Sequence, residues 1–122
     1  MFVRFETSLL HPDNGKPSGI LQAINYLEEE CVLETWQHAV IDEVRDALEA
    51  LDAPDILDDC ESFRLISWFK PGAQQFIDAC YRLIPIYEQH NQTVHIRRAR
   101  SLDRIHYEDD YQVLQLDRRK LG

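Results

Sequence analysis

The sequence lacks the features that mark a secreted or membrane-spanning protein. It has only three cysteines, widely spaced and without a Cys-x-x-Cys pair, so we predict neither a disulfide framework nor a zinc site. No apolar run approaches the roughly 20 residues that cross a bilayer, and the N-terminus has no long apolar stretch of a secretory signal. We therefore expect reduced thiols, a cytoplasmic location and no contact with a membrane.

Glycine is also scarce, and repeats and low-complexity stretches are missing. The 122 residues include four glycines, and 44% of them are hydrophobic and 29% charged. This balance and this length are typical of a globular protein with a single hydrophobic core. We therefore predict one domain that spans residues 1–122.

Basic residues are almost missing from one stretch, residues 28–61. This stretch has thirteen acidic residues and one base, Arg45, and its charge of −12 within a chain of −9 leaves +3 for the remainder. Its last part, residues 52–62, is predicted to be a linker. We expect an acidic end that repels nucleic acid and anionic membranes and attracts basic partners. The alternative is that the acidic helix faces only keep the protein soluble.

The N-terminal half has the patterns of one strand and two helices. Alternating apolar residues predict a strand over 1–7, and prolines and glycines predict a loop over 11–19, in which Ser18 would cap the next helix. Apolar residues three and four positions apart predict a first helix over 20–30 and a longer second helix over 34–51.

The C-terminal half alternates between strand and helix patterns. Residues 62–70 predict a buried strand, and the following helix would have Pro71 at its first position and a kink or an early end at Pro85. A strand over 93–99 would complete a parallel crossover, and residues 104–116 predict a hairpin. The fold class is therefore α+β: an N-terminal strand and helical pair, then β-α-β and a C-terminal β-hairpin, in one mixed sheet packed by helices.

Two short motifs carry a family resemblance, SWFK at 67–70 and YEDDYQV at 107–113. With them the chain resembles a group of small uncharacterised bacterial proteins that have a Trp-Phe-Lys strand end and a Tyr-Glu-Asp-x-Tyr-Gln-Val hairpin. The resemblance implies a bacterial origin and a single α+β unit. It carries over no catalytic residue, because the group has no established activity.

The leading hypothesis for function is protein binding through the acidic helical segment. Charge there would speed the encounter with a partner that has a basic surface, and a few aromatic residues would supply the affinity. The protein itself would be of the inhibitor, immunity or regulatory type, and a homodimer is an alternative. The predicted binding residues are Asp42, Glu43, Asp46, Glu49 and the anchor Trp36.

The alternative hypothesis is a small enzyme or ligand-binding domain with a site near Lys70 and the strand ends. Lys70 lies between aromatic residues and a helix start, where exposed N–H groups attract anions. Trp68 and Glu108 would complete the site. The competing interpretation is that Lys70 marks a strand-to-helix corner and simply reaches water.

Other polar groups give weaker patterns. Glu108 to Asp110 is typical of a solvated turn rather than a calcium loop, and His38 with Asp42 is one pair where a metal site needs three or four ligands. We therefore predict no metal, no cofactor and no catalytic residue. We also expect Glu108 and Asp110 to pair with nearby arginines.

One basic cluster interrupts the acidic character of the chain. Tyr107 and Tyr111 could offer stacking faces beside it, as in single-strand binders. The net charge of −9 argues against nucleic acid as the partner. The cluster consists of Arg97, Arg98, Arg100 and Arg104.

Overall fold

The computed structural model describes residues 1–10, 15, 17–21, 23–49 and 63–118, with the side chains of 63–65, 117 and 118 left out. Within these residues the chain is α+β, as predicted, with three helices and six strands. The elements in chain order are β1 Phe2–Leu10, β2 Pro17–Gly19, α1 Ile24–Glu30, α2 Thr35–Leu48, β3 Phe63–Phe69, α3 Gln74–Gln89, β4 Val94–Ala99, β5 Ile105–Glu108 and β6 Gln112–Arg118.

Strand β1 lies inside the sheet and pairs with three other strands. Strand β4 lies along one side of it over residues 2–7. On the other side Val3 pairs with Phe69 of β3, whereas Glu6 pairs with Gly19 of β2. Strands β6 and β5 continue the sheet beyond β3. Every pairing among the described strands is antiparallel, so the prediction of a mixed sheet is wrong.

The strand, helix and strand formed by β3, α3 and β4 make a split β-α-β unit. Both strands are antiparallel to β1, so they run parallel to each other, as a crossover requires. They are not neighbours, because β1 lies between them. The N-terminal strand thus fills the position where a simple crossover would have joined β3 directly to β4.

The hydrophobic core lies between one face of the sheet and the helices. Phe5 of β1 meets the ring of Tyr81 on α3 edge-on at 5.2 Å, and Phe69 of β3 stacks on Phe76 at 6.2 Å. Cys80 is fully buried in this core, as its place on an apolar helix face predicts, and burial raises the pKa of its thiol to about 12. Since side chains alternate along a strand, the neighbours of Phe5 and Phe69 point to the opposite face. It is called here the helix-free face, because the three described helices pack on the other side of the sheet.

The predicted loop over 11–19 contains strand β2. Ser18 lies in this strand and is buried, and its carbonyl accepts a hydrogen bond from Thr7 Oγ1 at 3.1 Å. The prediction that Ser18 caps the next helix is therefore wrong. Helix α1 begins at Ile24 instead, because Pro17 to Gly19 form strand β2 and pair with β1.

Helix α3 begins later and ends later than the two prolines suggested. Ala73 N–H donates to the Lys70 carbonyl at 3.0 Å, which closes a turn with Pro71 at its second position, where a fixed φ is favoured. The helix then runs from Gln74 to Gln89 with Pro85 inside it. The predictions of a first helical position for Pro71 and of an early end at Pro85 are wrong.

Helix α2 forms where its apolar repeat predicts it. Glu34 precedes it in a reciprocal capping box with Gln37, in which each side chain bonds the backbone N–H of the other residue. Ile41 and Val44 are buried, and the opposite side of the helix carries the acidic residues. The predicted acidic linker, residues 52–62, lies outside the described residues.

Candidate functional site

The exposed side of α2 carries a row of three carboxylates, named here the acidic stripe: Asp42, Asp46 and Glu49. At 3.6 residues per turn, positions four and three apart lie one above another. All three residues are exposed. No cation in the described parts of the chain pairs with them, so their charge is available to a partner.

Glu43 was predicted to belong to the same surface, but the structure places it on the flank of α2 that meets α3. Its carboxylate lies 2.7 Å from Nη1 of Arg82. On the opposite flank Arg45 pairs with Glu28 of α1. These two ion pairs connect α2 to its neighbouring helices. The pairing of Glu43 leaves three of the four predicted carboxylates without a counter-ion among the described residues.

Trp36 is exposed to 46%, as an anchor residue must be. It lies seven residues before Glu43, and therefore two turns away on the same flank of α2. Its indole N–H donates to the Glu34 carboxylate. Trp36 thus stands beside the acidic stripe, near the N-terminal end of the helix, rather than within it.

The three residues of the alternative site lie near one another at one end of the sheet, and two of them form an ion pair. Trp68 and Glu108 both pair with Val113, one from each side, and Lys70 Nζ lies 2.6 Å from Glu108 Oε2. The backbone N–H of Lys70 donates to the Tyr111 carbonyl at 2.8 Å, which extends the sheet into the turn before α3. Lys70 is therefore a strand-to-helix corner with its charge already paired.

In the acidic hairpin between β5 and β6, the Asp109 carboxylate stabilises the turn. Asp109 accepts the backbone N–H groups of Tyr111 and Gln112 at 2.8 and 2.9 Å. Partial burial raises the pKa of Asp109, but these bonds and those from the Gln112 and Tyr107 side chains outweigh it, so the pKa is lowered. In the described residues no group of three His, Cys, Asp or Glu side chains could hold a metal ion.

The predicted pairing of the hairpin with the arginines is wrong for Glu108, which pairs with Lys70. For Asp110 the described residues show no ion pair. The arginines of β4, Arg97 and Arg98, lie at the far side of the sheet from β5, and Arg104, which precedes β5, has no ion pair among the described residues. The arginines of β4 are therefore near the acidic hairpin in sequence but distant from it in the fold.

The basic cluster is also divided by the fold. Arg97 lies on β4, whereas the carbonyl of Arg104 accepts from Leu116 N–H of β6 at 2.9 Å, beyond β1 and β3 in the sheet order. Tyr111 packs edge-on against Phe76 at 5.2 Å, and the Tyr107 hydroxyl donates to Asp109 at 3.1 Å. These rings are engaged in the fold, so the pattern of a single-strand binder does not assemble here.

One charged cluster was missed by sequence reasoning. Arg4 and Glu6 lie on the helix-free face, yet they are only 6% and 8% exposed. Arg4 Nε donates to Glu6 Oε1 at 3.0 Å, and Arg97 Nε donates to Glu6 Oε2 at 3.1 Å. The alternating pattern over 1–7 indicated the strand but not the burial of these charges.

On one side of β1 the neighbouring strand changes from β3, beside Val3, to β2, beside Glu6. This point is called here the fork of the sheet, and the charged cluster lies there. Arg4 Nη1 donates to the Ser67 carbonyl of β3 at 3.1 Å. A Cβ at Gly19 of β2 would lie 3.6 Å from the Arg4 guanidinium. Burial raises the pKa of Glu6, but hydrogen bonds and charge from Arg4 and Arg97 outweigh it, so the pKa is lowered. The cluster therefore joins three strands and belongs to the fold.

Comparison with known proteins adds no identity. No family model, no curated protein and no solved structure matches this chain. Within the described residues, no helix is both long and apolar enough to cross a membrane. Function is therefore argued from the surfaces themselves.

Proposed function

We propose that this protein acts by binding another protein that has a basic surface, and that the acidic stripe of α2 is the docking site. The proposal extends to a bacterial, cytosolic protein of the inhibitor, immunity or regulatory type. The observation that carries it is the contrast within α2. Glu43 and Arg45 are paired with neighbouring helices, whereas Asp42, Asp46 and Glu49 have no counter-ion among the described residues.

The buried face of α2, with Gln37, Ile41 and Val44, fixes the rotation of the helix, and this favours docking. The two flanking ion pairs add to the same orientation. Their partners lie on different helices, Glu28 on α1 and Arg82 on α3. The stripe therefore keeps a fixed direction in the free protein, and a partner need not order it on binding. Unpaired exposed charges of one sign steer a partner of the opposite sign and raise the association rate.

Trp36 would supply affinity rather than steering. Aromatic side chains at the centre of an interface often account for much of the binding energy, and truncating one costs about 2 kcal/mol or more. Trp36 is half exposed and stands on the α3 flank of the same helix. We expect Trp36→Ala to speed dissociation and to leave the salt dependence of association unchanged.

The experiment is affinity capture with immobilised wild-type protein and two charge-matched variants. One variant reverses four carboxylates of α2 to lysine: Asp42, Glu43, Asp46 and Glu49. The control reverses four exposed carboxylates elsewhere: Asp78, Glu88, Asp103 and Asp110. Both variants have the same net charge, so a difference between them reports the position of the charge.

The proposal predicts that a protein captured by the wild type is captured by the control and lost with the α2 variant. Capture should also fall as salt rises, because exposed charges are screened over about 10 Å at 0.1 M salt. Capture that survives reversal of α2 would refute the docking site. Equal loss with both variants would show an unspecific effect of net charge, as expected if the carboxylates serve solubility alone.

A ligand site near Lys70, Trp68 and Glu108 is the second candidate, and the contact between Lys70 and Glu108 supports it. The Lys70–Glu108 pair at 2.6 Å would have to open before Lys70 could hold an anion. A thermal-shift series with small anions, run on wild type and Glu108→Gln, tests this candidate. Stabilisation that is larger in Glu108→Gln would support it, and no shift in either protein would contradict it.

A further inference from the structure

The outer side of β4 has backbone groups that no other described strand pairs with. Ile20 N–H donates to the Phe5 carbonyl at 3.0 Å, so the backbone of Phe5 faces β2 and turns away from β4. Phe5 is opposite Ile96, and in an antiparallel pair bonded and non-bonded residues alternate. The N–H and C=O groups that point outward from β4 therefore belong to Val94, Ile96 and Arg98.

Nothing in the described part of the chain covers this edge. Among the described strands, β4 pairs with β1 alone, and the side-chain bond of Arg97 to Glu6 also goes to β1. His95, Arg97 and Arg98 are exposed, and the other three residues are half-buried. The edge is six residues long, which is the ordinary length of a strand and enough to pair with another.

The edge also carries a concentration of positive charge. Arg98 and the following Arg100 have no carboxylate partner among the described residues. Several other bases do form ion pairs, namely Arg4, Arg45, Lys70, Arg82 and Arg97. Arg97 points to the helix-free face and Arg98 to the helix side, because they are opposite Arg4 and Val3. Positive charge therefore lies on both faces of one strand edge.

Charge decides which strand fits the edge. A second copy would bring two sets of these arginines together, and like charges across a strand pair are destabilising. Charged edges protect many proteins from this kind of association. An extended segment rich in Asp and Glu would instead gain both the outward backbone bonds and the ion pairs.

We propose that the β4 edge binds an extended acidic segment of another protein, which adds to the sheet as a further strand. This site is separate from the acidic stripe of α2 and would take a partner of the opposite charge. The two proposals therefore stand or fall independently, since one is tested by variants of α2 and the other by variants of β4.

The test is amide hydrogen exchange by NMR with a synthetic peptide of about nine alternating Val and Glu residues. Strand addition predicts that the amides of Val94, Ile96 and Arg98 become protected on binding. Those of His95, Arg97 and Ala99, which already face β1, should change little. Protection without this alternation, or none at saturating peptide, would overturn the proposal.

Two variants of Arg98 separate backbone from charge. Arg98→Pro removes an outward N–H without touching the bonds to β1, and Arg98→Ala removes the same charge but keeps the N–H. The peptide should bind Arg98→Pro roughly fivefold to tenfold more weakly than Arg98→Ala. Should Arg98→Pro fail to fold, a Val-Glu peptide with alternate amides methylated replaces it, and that peptide must bind wild type more weakly by a similar factor.

Arg98→Glu tests the charge, and the control is Arg104→Glu, because Arg104 is also exposed and has no ion pair among the described residues. We expect at least about a tenfold loss of peptide binding in the first variant and little change in the control. Equal binding of a Val-Lys peptide would overturn the proposal. So would tighter binding of single-stranded oligothymidylate than of the Val-Glu peptide, because it would assign the edge to nucleic acid.

Discussion

Glu6 and the acidic stripe of α2 hold the same chemical group in opposite settings. Glu6 is buried and receives hydrogen bonds from Arg4 and Arg97. Asp42, Asp46 and Glu49 are exposed and have no counter-ion in the part of the chain described. The comparison shows that a carboxylate can either stabilise the fold or remain available for binding. The residues that surround it in the folded protein decide between the two.

The difference also separates stability from recognition. A buried carboxylate that loses its partner leaves an uncompensated charge, which is strongly destabilising. An exposed carboxylate is screened and contributes little to folding, so its removal should leave the fold intact. Variants of Glu6 and its partners should therefore change stability, whereas variants of the stripe should change binding.

The largest expected effect is at the fork of the sheet. Arg4→Met leaves Glu6 buried with one of its two cations missing, and we expect the free energy of unfolding to fall by about 3 kcal/mol. Urea unfolding followed by circular dichroism measures it. The double variant with Glu6→Gln should recover part of the loss. A single-variant loss below about 1 kcal/mol would show that the pair behaves as a surface pair.

The next effect is on the pH dependence of stability. The pKa of Glu6 is lower in the folded protein, so its contribution is complete above the unfolded pKa and disappears as the pH falls through the folded value. Unfolding free energies measured from about pH 6 to pH 3 should therefore fall less steeply in Glu6→Gln than in wild type. The two curves should converge at low pH, and parallel curves would contradict this role.

A smaller effect is expected at the hairpin turn. Asp109→Ala removes the acceptor for two backbone N–H groups and should lower the unfolding free energy by about 1 kcal/mol. Asp110→Ala is the matched control, since Asp110 is exposed and should change little. Equal effects at both positions would mean that the turn does not depend on the Asp109 carboxylate.

The smallest effect is expected for the ion pair between α2 and α3. Both members are largely exposed, so Arg82→Met should lower the unfolding free energy by less than about 1 kcal/mol. Raising the salt concentration should remove the difference from wild type. A loss as large as that of Arg4→Met would contradict the expectation that buried ion pairs contribute more to stability than exposed ones.

Local patterns predicted the elements of this fold better than their arrangement. The apolar repeats of α2 and α3 and the alternation of β1 and β4 depend on near neighbours, so they were readable. The place of β1 between β3 and β4 was not, because strand order depends on contacts far apart in the chain. Strand β2 was missed because Pro17 and Gly19 are typical of loops, and pairing with β1 overrode that preference.

The candidate sites show the same limit. The sequence indicated that α2 has an acidic, exposed side. It did not indicate that Arg82 neutralises Glu43, because that contact joins two helices that are far apart in the chain. Likewise Arg4 and Glu6 alternate with apolar residues as solvent-facing charges do. Their burial follows from the fork between β2 and β3, for which the chain carries no local signal.

The most direct test of the docking site is the association rate of the captured partner, measured against salt by surface plasmon resonance. Wild type should associate fast at low salt and slow by at least about tenfold at high salt. The variant with Asp42→Asn, Asp46→Asn and Glu49→Gln should have the slow rate throughout, while Asp78→Asn with Glu88→Gln and Asp103→Asn behaves as wild type. An unchanged salt dependence in the α2 variant would contradict the acidic stripe as the docking surface.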